Sequence, residues 1–78
     1  MNTSKKELTL DEMVLEIVRK MQPISPEGVW MEIGENYDLE SNPSQTEVNQ
    51  ILEKIEREGI LKKIRLKNED EKYMVVEK

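Results

Sequence analysis

Glu56-Arg57-Glu58-Gly59-Ile60-Leu61-Lys62-Lys63-Ile64-Arg65-Leu66 is the stretch that decides how this chain folds. Before Gly59 the pattern is helical; after it, apolar and basic residues alternate with the period of a strand. Glycine at the junction suits the left-handed C′ position that ends a helix, because it has no Cβ to clash. The stretch therefore predicts a helix that stops abruptly and a strand that turns back onto the body. Ile60, Lys62, Ile64 and Leu66 share one parity, and this mostly apolar set is expected to face the core. Leu61, Lys63, Arg65 and Lys67 are then expected to face outward, with three positive charges.

Upstream, Ser44-Gln-Thr-Glu-Val-Asn-Gln-Ile-Leu-Glu-Lys-Ile55 reads as the helix that Gly59 terminates. Ser44 and Glu47 have capping-box spacing, and Val48, Ile51, Leu52 and Ile55 form an apolar stripe. Asn42-Pro43 just before it offers a slightly earlier start. Downstream, Lys72–Lys78 predicts a second strand, with the polar turn Asn68–Glu71 closing a hairpin.

Two more helices precede these elements. Thr9 and Glu12 make another capping box, and Leu8 and Met13 have the spacing of a hydrophobic staple. Leu10, Met13, Val14, Ile17, Val18 and Met21 follow at steps of three and one, giving a single apolar stripe. Leu15 lies off it, either a scattered surface leucine or part of a partner surface. Pro23 ends the run. Ser25 caps the next helix with Pro26 at its first position, and Val29, Trp30, Ile33 and Tyr37 share a face. Gly28 and Gly34 weaken that helix by roughly 1 kcal/mol each relative to alanine. The expected fold is thus α+β: a three-helix bundle followed by a two-stranded antiparallel β-hairpin, with Ile24 able to add a short third strand. Residues 8–78 form one domain, and 1–7 are expected to fray.

The composition excludes much chemistry. The 78 residues contain no cysteine and no histidine, which removes disulfides, thiolate metal sites, the usual general base and the best nucleophile. Gly28, Gly34 and Gly59 are isolated, so there is no phosphate-binding glycine loop. Asp38, Glu40 and Asn42 open a calcium-loop-like spacing, but Pro43 stands where such a loop needs glycine and Asn49 where it needs a bidentate glutamate. Neither an enzyme, a metal site nor a cofactor is expected. No apolar run approaches the roughly 20 residues that span a bilayer. "MNTSKKELTL" lacks an apolar export segment, so an intracellular, cytoplasmic location is expected, and the Asn2-Thr3-Ser4 sequon is read as chance.

The order of elements, with "PISPEGVW", "SQTEVNQILEKIEREGIL" and the hairpin that follows, resembles the winged-helix variety of helix-turn-helix domain. The resemblance covers residues 8–78. It departs from the family in the connection "DLESNP", which is longer than the usual tight turn. The resemblance implies double-stranded DNA as partner and transcription regulation as role, with the third helix as recognition helix and the hairpin as wing. On a helical wheel Thr46, Asn49, Gln50, Glu53 and Arg57 lie opposite the apolar stripe, with Lys54 alongside. In a major groove Asn49 and Gln50 suit adenine and Arg57 suits guanine. Gln45 and Thr46 are placed to meet phosphate, and the resemblance makes Lys63, Arg65, Lys67 and Lys72 phosphate contacts of the wing.

Charge argues for restraint. The net charge is −5, and residues 22–43 carry five acids and no base. Residues 59–78 carry six bases against four acids, so the C-terminal end alone is basic. Phosphate contacts drive DNA affinity, so a monomer is expected to bind modestly; a homodimer on two half-sites would compensate. The alternative function is an acidic protein-interaction adaptor of the same fold. Its contact candidates are Leu15, Met31 and the acidic stretch Glu32, Glu35, Asp38 and Glu40.

Overall fold

The structure, a computed structural model, describes residues 9–37, 39, 41–65, 67 and 70–76. Three helices lead into an antiparallel hairpin: α1 (Leu10–Met21), α2 (Pro26–Asn36), α3 (Gln45–Arg57), β1 (Leu61–Arg65) and β2 (Glu71–Val75). This α+β arrangement is the one expected, and it is consistent with a winged-helix topology. The expected fraying of residues 1–7, the Leu8 half of the staple, and Asp38, Glu40, Leu66, Asn68 and Glu69 lie outside the described residues.

Each helix starts where its cap dictates. The Thr9 hydroxyl accepts from the Glu12 amide at 3.1 Å, while the Glu12 carboxylate accepts from the Thr9 amide at 2.9 Å. Ser44 and Glu47 repeat this box at 3.1 and 3.0 Å, which fixes the start of α3 at Gln45 rather than at Asn42-Pro43. Reciprocal capping satisfies two amides that the helix itself leaves unpaired. Ser25 caps α2 through the Gly28 amide, with Pro26 at the first position.

The core lies between the three helices and one face of the hairpin. Val14, Val18, Val29, Ile33, Val48, Leu52 and Leu61 are fully buried, and Ile17, Ile24, Ile55 and Tyr73 pack with them. Trp30, expected on the apolar face of α2, is 37% exposed at its rim, where its indole N–H donates to the Pro43 carbonyl at 3.0 Å. A partly buried indole N–H gains from such a partner, and the loop supplies it. Leu15 is partly buried against the core, so it is not the exposed contact point that its off-stripe position predicts.

The junction at Gly59 behaves as its sequence requires. Gly59 has φ +86°, its amide donates to Glu56 and the Ile60 amide donates to Ile55. That pair of bonds is a Schellman ending and satisfies carbonyls that α3 leaves open. β1 then pairs with β2 in the register Leu61↔Val75, Lys63↔Tyr73 and Arg65↔Glu71. Ile24 adds a short bridge on the other side of β2, exchanging both backbone bonds with Tyr73 at 3.1 and 2.8 Å.

The hairpin is turned over relative to its expected parity. Leu61 is 2% exposed and Ile60 is 38% exposed. Leu61, Lys63 and Arg65 thus share the face of Tyr73, while Lys62 and Ile64 face outward with Met74 and Lys72. Two causes operate. The Schellman turn presents Leu61, not Ile60, to the core. Lys63 can occupy the inner face without burying its charge, because its side chain stays about a third exposed, with the ammonium over the Tyr73 ring and beside Glu71.

Candidate nucleic-acid interface

The helix-three surface is built by the same stripe that fixes the core. With Val48, Leu52 and Ile55 buried, the 3.6-residue period sends Thr46, Gln50, Glu53 and Arg57 to the opposite side, and all four are exposed. Gln45 and Asn49 lie on the flank toward the hairpin. There they line an open cleft of about 670 Å³ with Pro26, Glu27, Arg65, Asp70 and Glu71. The start of α2, the first half of α3 and the hairpin end therefore border one concave surface.

Lys54 does not join that surface. It reaches the other flank and pairs with Asp11 at the start of α1. That hydrogen bond raises the Lys54 pKa above the ordinary lysine value, against slight desolvation.

The expected wing cations divide between two faces. Lys63 Nζ is 3.6 Å from Glu71 Oε1 and 3.9 Å from Glu56 Oε1, and lies 5.7 Å from the Tyr73 ring centroid. Arg65 Nη2 donates to Glu71 Oε2 at 2.8 Å. Glu71 thus bridges two cations, and Glu56 ties one of them to α3. Lys72 is on the opposite face, across from Ile64. Lys67 is exposed beyond β1. Among the described residues, Arg57, Lys62 and Lys67 have no carboxylate within ion-pair distance.

Two tyrosines anchor the surroundings. Burial raises the Tyr73 pKa above its ordinary value, Lys63 partly opposing this. Lys63 is raised in turn, first by the Tyr73 oxygen and then, against desolvation, by the carboxylates of Glu71 and Glu56. Tyr37, partly buried, donates its hydroxyl to Glu16 at 2.9 Å; burial and that bond both raise its pKa.

Sequence reasoning missed Lys62, which the inverted parity assigned to the core, and it gave Glu56 and Glu71 no partner. The Arg65–Glu71 pair was within reach once register was fixed, since opposite charges directly across a ladder attract. No group of three carboxylates among the described residues is placed to hold a metal ion. No helix among them is long and apolar enough to cross a membrane. No known protein family and no curated protein matches the chain.

Proposed function

We propose that this protein is a non-enzymatic winged-helix module that binds double-stranded DNA in a transcription-regulating role, with α3 as recognition helix and the hairpin as wing. The observation that carries the proposal is the outward side of α3. Thr46, Gln50 and Arg57 stand there, with Asn49 and Gln45 turned toward the hairpin, and the helix is capped at both ends. Thirteen residues make a rod about 20 Å long, suited to lying in a major groove. Asn49, Gln50 and Arg57 are the base-reading candidates, whereas Gln45, Thr46, Lys62 and Lys67 suit phosphate. Lys63 and Arg65 join them only by exchanging carboxylate for phosphate. With a net charge of −5, affinity rests on few contacts, and a dimer on two half-sites strengthens it.

A gel-shift titration across salt tests this. Log affinity falls with log salt at a slope of about −0.9 per phosphate contacted. Lys62→Ala and Lys67→Ala should each flatten the slope by about 0.9, and Lys20→Ala at the end of α1 should leave it alone. Equal slopes for all three variants and the parent would refute the wing's part.

The adaptor alternative draws on one observation. Met31 is 50% exposed on α2, in a segment that carries only acids. It predicts no shift of any duplex even at low salt.

A further inference from the structure

We propose that Glu71, assisted by Glu56, acts as an internal stand-in for a nucleic-acid phosphate. It holds Lys63 and Arg65 in the free protein, and DNA must displace it before the wing can engage. The inference rests on the DNA-binding role proposed above and adds a control over its strength.

Three features carry it. First, the geometry is convergent: the two oxygens of one carboxylate serve two cations, Oε1 near Lys63 at 3.6 Å and Oε2 accepting from Arg65 at 2.8 Å. A phosphate presents the same bridging pair of anionic oxygens to neighbouring basic residues. Second, the site lies on the surface that would meet DNA. Arg65 and Glu71 line the cleft beside Gln45 and Asn49 of α3. Third, the contacts are displaceable. Their side chains are between about a third and two thirds exposed, and ion pairs in that setting are weak. A buried carboxylate would be a fixed structural brace; this one is not.

The consequence is an affinity held down in a defined way. When Lys63 and Arg65 move to phosphate, Glu71 is left with no cation and recruits a counterion from solution. This uptake offsets part of the release from DNA, so the salt slope is shallower than the number of contacted phosphates implies. Removing the Glu71 charge should restore both affinity and slope.

Asp70 supplies the control. It carries the same charge one residue away, lines the same cleft and makes no ion pair among the described residues. Glu71→Gln and Asp70→Asn are each compared with the parent by fluorescence anisotropy on a mixed-sequence duplex pool across salt. Circular dichroism melts confirm that each variant is folded. Glu71→Gln is expected to bind about fivefold tighter, with a steeper slope, the loss of one surface pair per cation. Asp70→Asn should change affinity less than about twofold, because it removes the same charge but frees no paired cation. Adding Glu56→Gln should tighten Glu71→Gln further. Equal gains from Glu71→Gln and Asp70→Asn would reduce the effect to general charge and overturn the clamp while leaving DNA binding intact. Weaker binding by Glu71→Gln would make Glu71 a positioning residue and also overturn it. If no protein in the set, the parent included, binds duplex at low salt, the DNA-binding role itself fails and the clamp fails with it.

Discussion

Of the seven largest fully buried side chains among the described residues, six, Val14, Val18, Val29, Ile33, Val48 and Leu52, belong to the helices, and Leu61 belongs to the hairpin. The hairpin is attached mainly through Leu61 and Tyr73, two backbone bonds to Ile24, and a bond from the Val75 amide to the Gln22 side-chain oxygen at 2.8 Å. Its outer face carries Lys62, which is exposed, and Ile64, Lys72 and Met74, which are half-buried. Most of the buried apolar packing thus lies in the helical body, while the hairpin adds to Leu61 and Tyr73 a set of polar contacts that can be exchanged one at a time.

The contrast can be broken most forcefully in the body. Leu52→Ala should cost about 2–5 kcal/mol, comparable to the whole stability of so small a domain, and leave much of the protein unfolded by circular dichroism at 37 °C. A melting curve little changed would mean that the core is not centred on α3.

Gly59→Ala tests the joint between the two regions. Its φ of +86° disfavours any Cβ, yet nothing lies within 4 Å of the place that Cβ would occupy. The cost is therefore backbone strain alone, about 1–2 kcal/mol, lowering the melting temperature by roughly 5–15 °C. A larger loss would point to a steric clash that the structure does not contain.

Gln22→Ala should act on the hairpin and spare the body. It leaves the Val75 amide without its partner, at about 1–3 kcal/mol locally. Hydrogen exchange should quicken at Val75 and Tyr73 while Val48 and Leu52 keep their protection. Uniform acceleration would show that body and hairpin open as one unit.

The smallest effect is on alkaline stability. Tyr73, Tyr37, Lys63 and Lys54 all hold their protons more firmly in the folded protein than their ordinary values allow. Above about pH 10 the unfolded chain releases these protons first, so stability is full below that pH and falls as pH rises through the folded values. Thermal melts between pH 8 and about 11.5 should show this fall, and Tyr73→Phe should lessen it. A flat profile in the parent protein would contradict it.

The division also explains what could be read from the sequence. In α3 several apolar residues at helical spacing agree on one face, and a capping box and Gly59 mark both ends, so its outward residues were legible. In β1 the sequence pattern conflicts with itself: Ile60, Ile64 and Leu66 favour one face and Leu61 the other. The Schellman turn and the Ile24–Tyr73 bridge, both set by tertiary packing, decide for Leu61. Lys54 illustrates the same limit at the site. Its position on the wheel was plain, but its direction depends on Asp11, forty-three residues away in the chain. The partners of Lys63 and Arg65 likewise required the strand register, which no local pattern supplies.

Sedimentation velocity of the whole protein, alone and with a mixed-sequence duplex pool, tests the central claim that α3 and the hairpin form a DNA-binding surface. At low salt the protein should move with the DNA, and it should separate from it as salt rises, with Arg57→Ala leaving the complex earlier than the parent. Protein that sediments apart from the duplex at every salt concentration would contradict it.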